Sequence, residues 1–167
     1  MSEQLPNNSL AFIALVNEYC SALENAAETE VSDFIDSMIR LLPRLYISAN
    51  DLPVETFGPS EYEIGQSLRE EDYDRVRDDI ARLLGEDDTY LEVFEEDMKY
   101  SDTPIGASIA EGLADLYQVF YDFLESVREV PAELIAEALT TVRESFAEYW
   151  SQTLTNVLRA VNAVKFK

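Results

Sequence analysis

The spacing of the apolar residues is the feature that most constrains the fold. Along most of the chain these residues recur three or four positions apart, which places them on one face of an α-helix. No Val, Ile and Thr-rich run alternates with period two, and neither Asn-Gly nor Asp-Gly is present to form a tight hairpin. The sequence therefore predicts an all-α fold in which strands are not expected.

Six helices fit this periodicity. They are expected at about residues 8–28, 32–50, 69–84, a shorter stretch after Asp88, 102–128, and from Pro131 almost to the C terminus. Pro43 should kink or split the second helix, because it lacks the N–H that bonds one turn back. The run Asp102-Thr103-Pro104 combines an oxygen cap with a following proline and predicts the start of the fifth helix.

The turns between most of the predicted helices are short, so neighbouring helices should be antiparallel. We expect a single up-and-down helical bundle over residues 1–167, with the last two helices forming a long C-terminal hairpin. The connection at 50–68 is longer, has no sustained period and contains two prolines and two glycines. Its residues Phe57, Tyr62 and Ile64 either pack onto the bundle or bind a partner.

The chain carries a formal net charge of -22. A surface this acidic repels phosphate backbones and anionic lipids, so direct nucleic-acid binding and membrane binding are not expected. Cys20 is the single cysteine and lies within the first apolar stripe, where it is expected to be a small buried hydrophobe. Without an intrachain disulfide, a signal-peptide pattern or a spanning segment, the sequence predicts a cytoplasmic protein.

The absence of histidine excludes more chemistry than any other feature. Ser-His-Asp and Cys-His catalysis, HExxH zinc sites and two-histidine iron sites all require an imidazole. What remains is the chemistry of carboxylates with hard cations such as magnesium, manganese and calcium.

The acidic residues are densest between positions 69 and 98, where there are thirteen acids and four arginines. At about 100° per residue, Glu111, Asp115 and Asp122 of the fifth predicted helix point away from its apolar stripe. On the second helix, Asp36 should support Arg40 as a pair four residues apart. These patterns predict solvated acidic faces in preference to an interior metal site.

One alternative is a magnesium site formed by Glu92, Glu95, Glu111 and Asp115. All-helical nucleotide pyrophosphohydrolases hold magnesium against a triphosphate with an ExxE pair on one helix and a second acidic pair on the next. Glu92 and Glu95 match the first pair, whereas Glu111 and Asp115 are four residues apart instead of three. No Lys or Arg is well placed to hold phosphate, so the match is partial.

The acidic surface could itself be the function. Strongly negative surfaces speed association with basic partners, as in nucleic-acid mimics and immunity-type inhibitors, and they also keep proteins soluble. On this interpretation the partner-binding residues come from the dense acidic segment and from the 50–68 connection. The candidates are Asp78, Asp79, Asp87, Asp88, Phe57, Tyr62 and Ile64.

Three stretches of the chain can be compared with a known family: LLPRLYISANDLP at 41–53, IAEGLADLYQVFYDFL at 109–124 and FAEYWSQTLTNVLRAV at 146–161. They resemble the bacterial family catalogued as domain of unknown function 5063. This resemblance implies an all-helical bacterial domain and supplies no activity. Within the matched stretches, Asp115, Tyr117, Tyr149 and Trp150 are candidates for a shared surface, and core packing is the favoured role for Tyr149 and Trp150.

Gly106, Ala110 and Ala114 form a row of small residues spaced by four, which favours the close approach of another helix, within the monomer or in a homodimer. The favoured function is a cytoplasmic bacterial interaction or accessory protein that has no catalysis of its own. It would bind a protein partner through its acidic face or through the 50–68 connection. A magnesium-dependent nucleotide hydrolase and a mimic or inhibitor that binds a basic partner are the alternatives.

Overall fold

The structure, a computed structural model, describes residues 5–57, 62–92 and 105–167. These residues form mainly helices, which confirms the predicted fold class. The helices are α1 (Asn7–Glu24), α2 (Val31–Asn50), α3 (Glu70–Leu84), α4 (Ile109–Ser126), α5 (Ala132–Ser145) and α6 (Ser151–Lys165). Two short antiparallel strands, β1 (Thr89–Glu92) and β2 (Ile105–Ser108), pair with each other between α3 and α4.

The strands correct two predictions. The helix predicted after Asp88 is wrong at its start, because β1 occupies those positions and pairs with β2. A short apolar run cannot distinguish strand from helix by its period, and Tyr90 belongs to the residue types that favour strands. The fifth predicted helix begins at Ile109 instead of near Asp102, and Ser108 caps it by accepting a hydrogen bond from the Glu111 N–H. Residues 102–104 themselves lie outside the described residues.

The aromatic centre of the core lies where α1, α4 and the C-terminal helical segment meet. The ring of Phe120 makes edge contacts with the rings of Tyr19 and Trp150, at centroid distances of 5.3 and 5.0 Å. The Tyr19 hydroxyl donates a hydrogen bond of 2.7 Å to the carbonyl of Leu113, so the buried phenol keeps a polar partner. Burial raises the pKa of Tyr19 well above its usual value.

Helix α2 packs against both α1 and α6. It continues through Pro43 to Asn50, so the proline does not split it into two helices. Its Asp36 forms an ion pair with Lys165 at the end of α6, and the predicted pairing with Arg40 is not observed. Helices α2 and α6 pack antiparallel, so the ammonium of Lys165 at the end of α6 lies beside the first turns of α2. This explains why Asp36 pairs with Lys165 instead of Arg40.

The C-terminal helical segment is continuous from Ala132 to Lys165, as predicted from the apolar stripe that follows Pro131. Between α5 and α6 it contains a π-helical turn at Phe146–Trp150. It turns back from α4 at Glu129, which adopts a positive φ of 57°, and α4 then packs against α6. A Cβ at Gly112 would lie 2.4 Å from Cγ2 of Val157, so this glycine permits the close approach of the two helices.

The predicted row of small residues, Gly106, Ala110 and Ala114, is wrong for one of its three members. Ala110 and Ala114 are buried in α4, but Gly106 belongs to β2 and has nothing within 4 Å of a Cβ placed on it. The residue that allows the close approach of α4 and α6 is therefore Gly112, which lies outside the predicted row.

Asp122 corrects the prediction that the acids of α4 all face solvent. Its carboxylate is 8% exposed and accepts hydrogen bonds from the N–H groups of Ser67 and Leu68, at 2.9 and 2.8 Å. The chain before α3 therefore folds over this part of α4. Helical angles alone could not show that a second segment covers a face that looks exposed.

Among the described residues, no helix combines the length and the apolar character needed to cross a membrane.

Candidate functional site

An open cleft of about 420 Å³ lies between the β-hairpin, α4 and α6. Its walls carry four carboxylates: Glu92 from β1, Glu111 and Asp115 from α4, and Glu148 from the π-helical turn. No Lys or Arg of the described chain lines it. The cleft therefore brings together acids that are distant in sequence.

Hydrogen bonds at the junction of β2 and α4 fix one wall of the cleft. Asp88 accepts hydrogen bonds from the Ser108 hydroxyl and from the Ala110 N–H, both at 2.7 Å. Ser108 in turn accepts a hydrogen bond from the Glu111 N–H at 3.1 Å. A carboxylate and a hydroxyl thus satisfy two of the free N–H groups in the first turn of α4, those of Ala110 and Glu111. This cap fixes the start of α4 and therefore the direction in which the side chains of Glu111 and Asp115 project.

The π-helical turn shapes a second part of the cleft. Phe146 and Trp150 at its two ends are buried, and the Trp150 indole donates a hydrogen bond of 3.2 Å to the carbonyl of Val142. Between them, Glu148 and Tyr149 line the cleft, and Tyr149 is 48% exposed. A π turn adds a residue to the helical repeat and so shifts side chains away from the positions that an α-helix would give them.

Two of the four carboxylates already have partners within the chain. Glu92 accepts hydrogen bonds from the Tyr90 hydroxyl at 2.8 Å and from the Asn156 amide at 3.3 Å. Asp115 accepts a hydrogen bond of 2.6 Å from the Tyr73 hydroxyl. Burial, reinforced by this hydrogen bond, raises the pKa of Tyr73 above its usual range. The phenol therefore stays protonated and holds Asp115 in place.

Tyr149 contributes a half-open aromatic face beside these acids. Its pKa is raised, first by burial and then by the negative charge of Asp115. Glu111 and Glu148 are exposed, and neither side chain forms a hydrogen bond or an ion pair with another described residue. The cleft thus presents two free carboxylates and an aromatic ring to a ligand.

The predicted magnesium ligands are partly brought together. Glu92, Glu111 and Asp115 line this one cleft, whereas Glu95 lies outside the described residues. Within residues 5–57, 62–92 and 105–167, no three acids or cysteines are arranged closely enough to hold a metal ion. The described carboxylates share a cleft without converging on one position, and the magnesium site stays a prediction.

The three predicted contact residues of the 50–68 connection are not alike. Tyr62 donates a hydrogen bond of 3.1 Å to the carbonyl of Ser126, and both Tyr62 and Ile64 pack against the core. Phe57 is 36% exposed. Tyr62 and Ile64 therefore pack onto the bundle, which is one of the two alternatives given for this connection.

The four predicted aspartates of the acidic segment also make contacts within the chain. Asp78 and Asp79 form ion pairs on α3 with Arg77 and Arg82. Asp87 pairs with Lys167 at 2.8 Å, and Asp88 forms part of the cap of α4. None of the four lines the cleft. Their role in partner binding stays a prediction.

Sequence reasoning missed the contribution of the C-terminal segment to this site. Tyr149 was expected in the core with Trp150, but only Trp150 is buried. Gln152, Thr153 and Asn156 add neutral polar groups to the same wall. The sequence signal for this wall was the polar character of these three positions. A regular helical repeat places them on a face exposed to solvent, so they were not recognised as part of a site.

The comparisons with known proteins agree with the fold described above. The crystal structure of protein BF1032 from Bacteroides fragilis is similar to the chain, with a TM-score of 0.80 and 32% sequence identity. The alignment covers 95% of this chain and 92% of that one. No curated protein matches the sequence. Residues 3–167 match the family described as a domain of unknown function, DUF5063, and the chain belongs to this family.

Proposed function

We propose that the chain is a non-catalytic interaction protein of the bacterial cytoplasm, and that its acidic cleft binds a cationic side chain of a basic protein partner. One observation carries the proposal. Four carboxylates and two tyrosines line a single cleft in which no described residue supplies a positive charge. A guanidinium or ammonium group is the chemistry that such walls complement.

The free carboxylates favour a ligand with several hydrogen-bond donors. Glu111 and Glu148 line the same cleft and are both exposed, so a guanidinium that reaches both could donate to them without displacing an internal partner. The face of Tyr149 can also contact a cation, which adds an attraction that bulk charge does not provide. The cleft therefore supplies geometry as well as charge.

The charge of the whole chain supports the same function. A net charge of -22 attracts a basic partner from a distance and raises the rate of encounter. The cleft then distinguishes one contact from diffuse attraction. A nucleic-acid mimic and an immunity-type inhibitor are forms that this binding function could take, since both act on basic proteins.

The test measures the affinity for a fluorescently labelled hexaarginine peptide across a range of salt concentrations. Glu111→Gln combined with Glu148→Gln should weaken binding about tenfold and reduce its salt dependence, because both removed charges belong to the site. The matched control is Glu70→Gln combined with Glu71→Gln, which removes two charges from the exposed start of α3. Equal weakening by both double variants would contradict the cleft and favour diffuse attraction.

A magnesium-dependent nucleotide hydrolase is a second candidate, favoured by the shared location of Glu92, Glu111 and Asp115. Its test is the melting temperature with chelator and with magnesium, manganese or calcium at equal ionic strength. An organised site would give a rise for one cation that disappears in Asp115→Asn. Equal small rises for all three cations would indicate screening of the surface charge alone.

A further inference from the structure

A second cleft, of about 350 Å³, lies where the start of α1 meets α5 and the segment at Pro53–Glu55. It shares no lining residue with the acidic cleft. Pro6, Ala136 and Leu139 contribute apolar surface to its walls. Its volume falls in the range of small-ligand sites, at about 300–1,000 Å³.

The hydroxyl of Ser9 distinguishes this cleft from a simple surface groove. Ser9 lines the cleft and is 1% exposed, and its Oγ has no hydrogen-bond partner in the described part of the chain. The carbonyl of Pro6, which lies nearby in the first turn, already accepts from the N–H groups of Ser9 and Leu10. Buried hydroxyls nearly always have a partner, so an unpartnered one beside a cleft points to a ligand that supplies it.

The charged groups of the cleft indicate which ligand that is. Glu55 and Glu133 both line it, and neither side chain forms an ion pair with another described residue. The backbone N–H of Glu55 donates a hydrogen bond of 3.4 Å to the hydroxyl of Thr140, which holds this segment against α5. The two carboxylates only accept hydrogen bonds and the hydroxyl oxygen can accept them too, so the three groups together complement a group that only donates.

We infer that this second cleft binds a primary aliphatic ammonium. The ammonium has three donors, which match Ser9 Oγ and the carboxylates of Glu55 and Glu133. The methylene chain lies along Pro6, Ala136 and Leu139, where its burial adds to the affinity. A free alkylamine and a lysine side chain share this chemistry.

The test is a titration with n-butylammonium, followed by the backbone amide resonances of Ser9 and Ala136 at constant ionic strength. We expect saturable shifts at these amides, and no saturable shifts with 1-butanol or butyrate, which lack the positive charge. A titration with Nα-acetyl-lysine amide shows whether the ammonium comes from a lysine side chain or from a free amine. Binding as tight as that of butylammonium assigns a lysine side chain, and exclusion assigns a free amine.

Two variants test the proposed contacts. Ser9→Ala and Glu133→Gln should each weaken butylammonium binding about tenfold, whereas Glu144→Gln, an exposed change on the same helix, should leave it unchanged. Ser9→Ala removes an unpartnered hydroxyl, so it should not lower the melting temperature of the free protein. Non-saturable shifts, or an affinity of Ser9→Ala and Glu133→Gln for butylammonium equal to that of the unaltered protein, would overturn the inference.

Discussion

The hydroxyl of Tyr73 donates a hydrogen bond of 2.6 Å to Oδ1 of Asp115 and so joins α3 to the wall of the acidic cleft. The two residues that it joins are 42 positions apart in the sequence. It also explains how an exposed group of acids keeps a defined geometry. A hydrogen bond to an ionised acceptor is stronger than one between neutral groups. Here it fixes the carboxylate of Asp115, which is less exposed than Glu111, the other acid of α4 that lines the cleft.

Tyr73→Phe should lower the free energy of unfolding by about 1–2 kcal/mol, because Asp115 loses a donor while the ring still packs. The value is obtained from urea denaturation. Tyr121→Phe is the control, since no hydrogen bond of its hydroxyl is observed among the described residues. An effect of Tyr73→Phe no larger than that of Tyr121→Phe would show that the contact does not stabilise the fold.

The raised pKa values of three buried or half-buried tyrosines predict a loss of stability at high pH. Burial raises the pKa values of Tyr19, Tyr73 and Tyr117 in the folded protein, with hydrogen bonds to carboxylates adding to the effect for Tyr73 and Tyr117. Above a pH of about 10 the unfolded chain loses phenolic protons that the folded chain retains, so the free energy of unfolding falls as the pH rises. Denaturation measured from about pH 8 to about pH 11 tests this, and Tyr73→Phe should reduce the slope.

Gly112→Ala should destabilise the protein by about 1–3 kcal/mol, because its methyl group would overlap Cγ2 of Val157. Gly106→Ala is the matched control, since nothing lies within 4 Å of a Cβ at that position. Adding Val157→Ala to Gly112→Ala should relieve the overlap, so the double variant should lose less stability than the two single effects added together. Strict additivity measured by thermal unfolding would contradict this account of the α4–α6 contact.

Asp122→Ala should lower the free energy of unfolding by about 2–3 kcal/mol, because the N–H groups of Ser67 and Leu68 lose a charged acceptor. Amide hydrogen exchange at these two residues should become faster than in the unaltered protein. Glu125→Ala on the same helix removes only an exposed ion pair with Arg128, so its effect should stay within about 1 kcal/mol. Unchanged exchange at Ser67 and Leu68 would contradict the role given to Asp122.

The regular parts of this fold were predictable from the sequence because they depend on local periodicity. The apolar stripes locate α1, α2, α3 and the long C-terminal segment to within a few residues. The β-hairpin was not predictable in this way. Each strand has four residues, and the pairing of Thr89 with Ser108 depends on a partner that is distant in sequence.

The candidate site was only partly predictable for the same reason. Glu111 and Asp115 share a helical face and could be grouped by angle, but Glu92 reaches them only through the hairpin. Glu148 was missed, and Tyr149 was favoured for the core, because the π turn breaks the repeat on which the angular count depends. Asp122 was assigned to solvent because helix geometry does not include the segment that covers it.

The most direct test of the account is to map where a cationic peptide contacts the protein. Hexaarginine is titrated into the protein at physiological ionic strength, and the backbone amide resonances are followed. We predict saturable shifts centred on Glu111, Gly112, Gln152 and Thr153, which lie on the two walls of the acidic cleft. Small shifts spread over the exposed acids of α3, with none of these four residues saturating, would contradict a cation-binding cleft.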